Sequence, residues 1–232
     1  SVACSLIVNR LHTAYSFAIA NLNPLIEVEG GIIPQGFIRD GSDEKSFYIG
    51  RYAVTMEEWL GVRCWAVLNG YCIARGEARS LRHPVTNISW LDAVKWCNAL
   101  SEMCGLDPCY TIVPKQGGRK GYHTTFRKSE PANDDSLLDV TIWESRKGYR
   151  LPKASEWEWA ARGGVKSRGY TFSGSNNLDE VAWNTYGGRS QHGMPLSVNI
   201  QEVGKKAPNE LGIYDMSGNV GEWCENKVLI EG

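Results

Sequence analysis

The 232-residue chain has almost no net charge and no long apolar run. A formal net charge of −1 gives no electrostatic reason to expect binding to nucleic acid or to an anionic membrane surface. The apolar stretch at residues 6–20 is interrupted by Asn9, Arg10 and His12, so it does not form a membrane span. We therefore expect no nucleic-acid partner and no transmembrane segment.

The cysteine pattern lacks the C-x-x-C pairs that are typical of metal and redox sites. Seven cysteines are present, and because the number is odd at least one is unpaired within the chain. Cys97 and Cys104 fall two turns apart on one predicted helix, too far apart to bond to each other. Most of the cysteines are interpreted as small buried hydrophobic residues.

Common catalytic motifs are also missing. The chain has no H-E-x-x-H, no G-x-S-x-G and no phosphate-binding glycine loop of either standard type. The acid pair Glu156 and Glu158 is predicted to point to different faces of a helix, which is unsuited to glycoside hydrolysis. The histidines are isolated in the sequence, at His12, His83, His123 and His192.

Tryptophan and glycine are abundant, with nine Trp and 25 Gly. Many large rings combined with many glycine turns indicate a fold with much irregular backbone. Residues 1–28 are interpreted as a lead-in segment and residues 29–232 as one domain. Residues 46–55 read as a strand that ends at Thr55, and residues 115–138 are polar and rich in turn formers, which predicts a surface loop.

Two capping motifs predict helices. Thr55 and Glu58 form a T-x-x-E capping box, so a helix should begin at Met56. Ser89 is predicted to cap a second helix that ends at Gly105. The triplet Asn87-Ile88-Ser89 is also a glycosylation sequon, and the helix cap is the preferred interpretation.

The stretch "GYRLPKASEWEWAARGG" predicts a third helix. Pro152 is expected at its start, because a proline lacks the N–H that would be unpaired in the first turn. Trp157, Ala160 and Ala161 follow at helical spacing. Arg162 suits the last turn, and the two glycines that follow end the helix.

The stretch "GIYDMSGNVGEW" near the end of the chain contains two acids around a glycine-bearing turn. Asp215 and Glu222, with the backbone carbonyls of Gly218 and Val220, would supply an all-oxygen set that suits a hard cation such as Ca²⁺. From the residues alone, a capped turn remains an alternative to a metal site.

Four phrases together resemble one protein family: "FYIGRYAVTMEEW", "HPVTNISWLDAVKWCNAL", "GYRLPKASEWEWAARGG" and "APNELGIYDMSGNVGEW". Their order and spacing resemble the formylglycine-generating enzyme (sulfatase-modifying factor) family, and the resemblance covers residues 29–227. It implies an α+β fold of the elaborated C-type-lectin-like kind, with low regular secondary structure.

The resemblance implies a structural Ca²⁺ site held by Asp215, Glu222 and the carbonyls of Gly218 and Val220. A second family Ca²⁺ site matches Asn184 and Thr185. That second site also needs a downstream Asp, and "RSQHGMPLS" offers no acid.

Enzymes of this family oxidise a sulfatase cysteine to formylglycine with O₂ and a copper ion bound by two cysteines. The family's cysteine pair follows the G-N-V-x-E-W segment, and no residue of this chain matches it. Cys224 matches neither catalytic position. We therefore assign no catalytic residue, expect this chain as given to be inactive, and expect copper only if a further C-terminal segment carries the pair.

Three hypotheses remain open. The chain is a truncated copy of a sulfatase-activating oxidase, a non-catalytic lectin-fold module that binds or displays a ligand, or a structural remnant. The first two imply a protein or peptide partner, which would be a sulfatase for the enzyme, and the binding module could instead hold a glycan. The odd cysteine count and the expected Ca²⁺ favour an exported protein, and cytoplasmic family members keep that compartment open as well.

Overall fold

The computed structural model describes residues 2–4, 7–8, 23–34, 36, 43–112, 124–127, 140–183, 200–225 and 229–230. Within these residues the α-helices are α1 (Met56–Leu68), α2 (Trp90–Met103), α3 (Ala154–Ala161) and α4 (Leu178–Val181). The strands are β1 (Val2–Cys4), β2 (Ile7–Val8), β3 (Leu25–Val28), β4 (Gly31–Ile32), β5 (Asp43–Glu44), β6 (Phe47–Gly50), β7 (Tyr110–Ile112), β8 (Thr124–Thr125), β9 (Val140–Ile142), β10 (Tyr149–Arg150), β11 (Ala182–Trp183), β12 (Ser217–Gly218), β13 (Gly221–Trp223) and β14 (Leu229–Ile230). Short strands and few helices give the predicted α+β character with little regular structure.

Both predicted capping boxes are present. The Thr55 hydroxyl accepts a hydrogen bond from the Glu58 amide, and Glu58 Oε2 accepts one from the Thr55 amide at 2.9 Å. Ser89 Oγ accepts from the Asp92 amide at 3.0 Å at the start of α2. The α2 helix stops at Met103, and Gly105 follows in the left-handed region with φ 69°, as its position predicts.

The main core lies between α1 and α2. Trp59 and Trp96 are fully buried and stack with their ring centroids 5.5 Å apart and an interplanar angle of 3°. The indole N–H of Trp96 donates to the Trp59 carbonyl at 3.1 Å, so this stack has no unsatisfied polar group on its Trp96 side. Cys97 and Cys104 are buried free thiols on α2, as predicted.

The strand predicted over residues 46–55 is shorter than expected. Strand β6 ends at Gly50, because the Asn23 side chain binds both backbone groups of Tyr52. Asn23 Oδ1 accepts from the Tyr52 amide at 3.1 Å, and its Nδ2 donates to the Tyr52 carbonyl at 2.9 Å. These bonds replace the ladder hydrogen bonds that a longer strand would make.

The largest sheet has the order β10-β2-β6-β3, and a three-stranded sheet has the order β1-β13-β14. Strand β1 runs parallel to β13, and β2 runs antiparallel to both β6 and β10. Strands from the segment interpreted as a lead-in, residues 1–28, thus pair with strands of the domain assigned to residues 29–232. The boundary between the two segments stays a prediction.

The third helix begins later than predicted. Glu156 Oε2 accepts a hydrogen bond from the Lys153 amide at 2.8 Å, which makes Lys153 the N-cap and Ala154 the first helical residue. Pro152 therefore precedes the helix, and its carbonyl accepts from the Glu225 amide at 2.8 Å. The expectation that Pro152 opens the helix is wrong.

The other features predicted for this helix are present. Trp157, Ala160 and Ala161 are buried, and Arg162 is the C-cap. Gly163 follows with φ 86° and ends the helix. The residue types at both ends of a helix were thus informative, although Pro152 was placed at the wrong position.

Most of the loop predicted over residues 115–138 lies outside the described residues. Its described part includes β8, which pairs with β7 in a sheet of order β8-β7-β9. In the part of the chain that the structure describes, no helix is long and apolar enough to cross a membrane.

Candidate calcium loop and polar groove

The loop predicted to bind calcium is a chain of tight turns held against β11. Its strand β12 runs parallel to β11, with Trp183 opposite Gly218. Asp215, Gly218 and Asn219 have φ angles of 60°, 98° and 64°, in the left-handed region. At Gly218 an added Cβ would lie 2.4 Å from the Trp183 carbonyl oxygen, so only glycine fits there.

Asp215 is buried and only half of its carboxylate is satisfied. Its Oδ2 accepts a hydrogen bond from the Gly204 amide at 2.8 Å. Its Oδ1 is buried and has no hydrogen-bond partner. Burial raises the pKa of Asp215 above its usual value, and the Gly204 hydrogen bond acts in the opposite direction. A cation beside Oδ1 would remove this cost, because a buried unpaired carboxylate oxygen is unfavourable.

The other three predicted ligands lie on the same short segment. The Val220 amide donates to the Gly218 carbonyl at 2.9 Å, so these two residues form a compact turn. Glu222 lies in β13 and is 2% exposed. Burial is the main cause of the raised pKa of the Cys224 thiol, and the negative charge of Glu222 is the second cause. The donor types therefore fit Ca²⁺, which prefers carboxylate and carbonyl oxygens.

No group of three or more His, Cys, Asp or Glu side chains suited to a metal occurs in the described residues. The calcium set contains two carboxylates and two carbonyls, so this finding does not bear on it. The second predicted site, at Asn184 and Thr185, lies outside the described residues. Trp183, the residue before it, ends β11 beside Gly218.

Sequence reasoning missed two buried asparagines that hold this loop. Asn209 Nδ2 donates to the Ala160 carbonyl at 2.8 Å, and its Oδ1 accepts from the Leu211 and Ile213 amides at 3.0 and 3.1 Å. Asn219 makes a reciprocal pair of bonds with the Gln201 backbone at 2.9 and 3.2 Å. The N-x-x-G turn pattern at Asn209 in "PNELG" was the available signal.

The buried cysteines Cys97, Cys109 and Cys224 are poorly suited to act as thiolate metal ligands. Burial raises the pKa of Cys97, Cys109 and Cys224, and the pKa of Cys109 reaches about 11. These groups are therefore thiols at neutral pH, whereas the thiolate is the form that binds metal. Cys64 and Cys72 are exposed free cysteines, on α1 and after it.

A second candidate site is a polar groove with a volume of about 640 Å³. The residues that line it, which we call the polar groove throughout, are Asp43, Glu44, Lys45, Ser46, Phe47, Glu144, Ser145, Arg146, Lys147, Arg150, Lys153 and Glu156. Its buried base is the ion pair of Arg150 and Glu156, with nitrogen–oxygen distances of 2.6 and 2.8 Å. In the sequence, Glu156 stands out only as one of two acids, with Glu158, whose spacing is unsuited to glycoside hydrolysis.

Glu225 is a third charge at this base. Its Oε1 lies 3.6 Å from Arg150 Nη1 and makes no hydrogen bond. Burial raises the pKa of Glu225 to about 7, the Arg150 charge opposes this shift, and the Glu156 charge adds to it. Because Glu156 already occupies the Arg150 fork, Glu225 is the weaker partner of the two carboxylates.

Solved structures with the same fold support the predicted architecture. The chain is similar to the crystal structure of CarF, with a TM-score of 0.67 and 31% identity over 88% of this chain and 80% of that one. It is also similar to Treponema denticola variable protein 1, with a TM-score of 0.60 and 29% identity over 86% of this chain and 71% of that one. The C-type-lectin-like fold of the formylglycine-generating type is confirmed.

Relatives by sequence include a protein named as a chaperone, a formylglycine-generating enzyme and a protein named as an inactive form of that enzyme. The "Chaperone protein LppX" of Paenibacillus barcinonensis is 41% identical over 214 residues, which is 86% of this chain and 70% of that protein. The formylglycine-generating enzyme of Streptomyces coelicolor is 35% identical over 112 residues, 44% of this chain and 34% of the enzyme. The inactive Cα-formylglycine-generating enzyme 2 of Bos taurus is 35% identical over 96 residues, 40% of this chain and 31% of that protein.

The matches to the last two relatives thus span about a third of their lengths. The family model of the sulfatase-modifying factor enzyme 1-like domain matches residues 23–229, almost the whole chain. That range begins before β3 and contains both the calcium loop and the polar groove. With the order of its motifs, its fold and this match in agreement, the chain belongs to the sulfatase-modifying factor family, the family of the formylglycine-generating enzymes.

Proposed function

We propose that this chain acts by binding a protein partner and not by oxidising one. The observation that carries the proposal is the extent of two similarities. The match to the protein named a chaperone covers 86% of this chain, whereas the match to the Streptomyces coelicolor oxidase covers 44%. A function shared with a relative requires the surface that performs it, so the longer match is the better guide to this chain.

The cysteine chemistry supports binding over oxidation. Cys97, Cys109 and Cys224 are fully buried, and burial raises the pKa of each thiol. A copper(I) oxidase needs two accessible thiolates at one point. The family also contains a relative whose name describes it as inactive, so oxidation is not a necessary property of this fold.

A light-scattering assay tests the binding function. Reduced insulin is allowed to aggregate alone, with an equimolar amount of this chain, and with an equimolar folded control protein of similar size. We expect this chain to delay or suppress the rise in scattering, and the control protein to leave it unchanged. Equal scattering in all three samples would contradict a chaperone-like binding function.

A second assay tests the oxidase alternative in the same preparation. The chain is incubated with copper, O₂ and a cysteine-containing sulfatase peptide, and the peptide mass is followed. We expect the peptide cysteine to remain unmodified. Conversion of that cysteine to formylglycine would overturn the proposal and favour the enzyme hypothesis, with a sulfatase as the partner.

We also propose that the calcium loop binds one Ca²⁺ as a structural ion. The support is the buried Asp215 Oδ1, which has no hydrogen-bond partner, together with the buried Glu222 and the carbonyls of Gly218 and Val220. When bound, the ion would neutralise Asp215 and connect two turns of a region with little regular structure. Asn184 and Thr185 remain proposed ligands of the second family site.

Thermal unfolding tests the calcium proposal. At a Ca²⁺ concentration about 100 times the dissociation constant, binding to the native state stabilises it by about 2.7 kcal/mol. For a chain of this size we expect the Tm to fall by roughly 5–10 °C when a chelator removes the ion. Asp215→Asn should abolish the chelator effect, and Asp179→Asn, an exposed acid on α4, should retain it. An unchanged Tm with chelator would show that Asp215 is only a turn residue.

A further inference from the structure

The lining of the polar groove carries five cationic and four acidic side chains, so its charges do not all pair within the described residues. Glu144 is paired with Lys153 at 3.0 Å, and Glu156 is paired with Arg150. Within the described part of the chain, Lys45 and Lys147 line the groove without a salt bridge. They come from two different segments of the lining, since Lys45 lies between β5 and β6 and Lys147 precedes β10.

The base of the groove also has an unused hydrogen-bond donor. Arg150 is 4% exposed, and its Nη1 donates to the Leu151 carbonyl and to Glu156 Oε2. Its Nη2 donates to Glu156 Oε1, and its Nε has no hydrogen-bond acceptor. A buried guanidinium N–H without an acceptor is unfavourable, and the Glu225 carboxylate, 3.6 Å from Arg150 Nη1, does not satisfy it in the described residues.

The positive charges of the groove lower the pKa of one of its acids, Glu144. A hydrogen bond from Lys153 lowers the pKa of Glu144, and the charges of Lys153, Arg150 and Lys45 lower it further. The remaining acids differ in availability: Glu44 accepts a hydrogen bond from Ser155 at 2.5 Å, and Asp43 is exposed on the rim. The groove therefore favours a negatively charged group near Lys45 and Lys147, which have no salt bridge in the described residues.

We propose that the polar groove binds a carboxylate-bearing peptide segment of a partner protein, with Lys45 and Lys147 as its charged contacts. This inference rests on the proposed binding function and names the class of its ligand. A volume of about 640 Å³ is far larger than a single small anion and is in the range of peptide and small-molecule sites. Two lysines from different segments of the lining suit a peptide with more than one carboxylate.

Fluorescence anisotropy with two labelled peptides tests the charge requirement. One is a short acetylated and amidated Glu–Gly peptide, and the other is the matching Gln–Gly peptide. We expect the Glu–Gly peptide to bind about tenfold more tightly, and its affinity to fall as salt is added. A third peptide, Gln–Gly with a free C-terminal carboxylate, separates recognition of side-chain carboxylates from recognition of a chain end.

Charge reversal locates the site. The double variant Lys45→Glu, Lys147→Glu should weaken binding of the Glu–Gly peptide by about tenfold or more. The matched control is Arg79→Glu, Lys166→Glu, which makes the same charge change at exposed positions outside the groove. The control should change the affinity by less than about twofold. Far-ultraviolet circular dichroism and the Tm of each variant verify that it is folded.

Two outcomes would overturn the inference: equal affinities for the Glu–Gly and Gln–Gly peptides, or equal losses in the groove variant and the control variant. The result is separable from the broader proposal. Suppressed insulin aggregation with no selective peptide binding keeps the binding function and rejects the groove as its carboxylate site. Selective peptide binding with unchanged insulin aggregation keeps the groove and rejects the chaperone-like function.

Discussion

Two regions of this molecule satisfy their buried backbone groups and fill their interiors in different ways. In the helical region, residues 54–112, capped helices satisfy the backbone and stacked rings such as Trp59 and Trp96 fill the core. In the turn-rich region, residues 200–225, buried amides such as Asn209 and Asn219 replace the helical hydrogen bonds. The first region depends on apolar packing, and the second depends on buried polar groups that each need a partner.

The two regions also differ in whether a bound metal ion would contribute to stability. Both N-caps of the helical region are made by side chains, those of Thr55 and Ser89, although Glu58 Oε1 is also buried there without a hydrogen bond in the described residues. In the turn-rich region Asp215 Oδ1 remains without a hydrogen bond, although the residue is buried. A region built on satisfied polar groups is therefore incomplete at the position where the family resemblance expects Ca²⁺. The chelator experiment above measures that incompleteness directly.

The largest effect should come from the packed core of the helical region. Trp96→Ala removes a fully buried ring from the stack with Trp59, and it should lower the free energy of unfolding by about 3–5 kcal/mol. Urea unfolding followed by fluorescence measures this loss. Leu68→Ala, at a position that is 87% exposed, is the control and should change stability by less than about 0.5 kcal/mol. Similar losses for both variants would contradict a core at this stack.

A smaller loss is expected in the turn-rich region. Asn209→Ala should lower the free energy of unfolding by about 2–3 kcal/mol, because it leaves the Leu211 and Ile213 amides and the Ala160 carbonyl without this partner. The cause is lost hydrogen bonding and not lost apolar contact. Asn209→Asp retains both acceptor bonds and should recover part of the loss. If Asn209→Leu were as stable as the native chain, the polar account of this region would be wrong.

The helical region was largely predictable from sequence, because its signals are local. Thr55 with Glu58 and Ser89 with Asp92 are read within four residues of each other, and both boxes are present in the structure. Gly105 likewise follows the end of α2. The error at Pro152 arose because the position of the α3 cap depends on Glu156, whose orientation is set by the ion pair with Arg150.

The sites were only partly predictable, because their contacts are long range. The proposed calcium ligands fall within eight residues, and the family resemblance suggests them. The polar groove joins residues 43–47 to residues 144–156, and its selectivity depends on which charges are already paired. Sequence order does not reveal that Glu144 is neutralised by Lys153 while Lys147 has no salt bridge in the described residues.

Each region has a buried carboxyl group whose titration should be measurable. Burial raises the pKa of Glu58 to about 7, against the hydrogen bonds from Thr55, and burial raises the pKa of Glu225 to about 7. A raised carboxyl pKa means that the native state binds the proton more tightly than the unfolded state. The stability from these groups is therefore complete below about pH 4.5 and is lost as the pH rises through about 7.

We expect each of the two groups to lower the free energy of unfolding by roughly 2 kcal/mol between about pH 5 and about pH 8. Glu58→Gln retains an oxygen acceptor for the Thr55 amide and should flatten the profile without loss of the α1 cap. Glu225→Gln should flatten the other part of it. Urea titrations across this pH range give both slopes. Two variants that each keep the full native slope would rule out these carboxyls as its origin.

The smallest expected effect tests whether solvent exposure sets the stability cost of losing a side-chain hydrogen bond in the two regions. Ser89 and Asn209 each bind backbone amides through one side chain, but Ser89 is exposed and Asn209 is buried. Ser89→Ala should cost about 1 kcal/mol, less than Asn209→Ala, because water can replace the hydrogen bond to the Asp92 amide. Ser89→Thr, a weaker cap of the same kind, should recover most of it. A cost for Ser89→Ala equal to that for Asn209→Ala would mean that burial does not set the strength of these bonds, and the contrast between the helical and turn-rich regions would then need another cause.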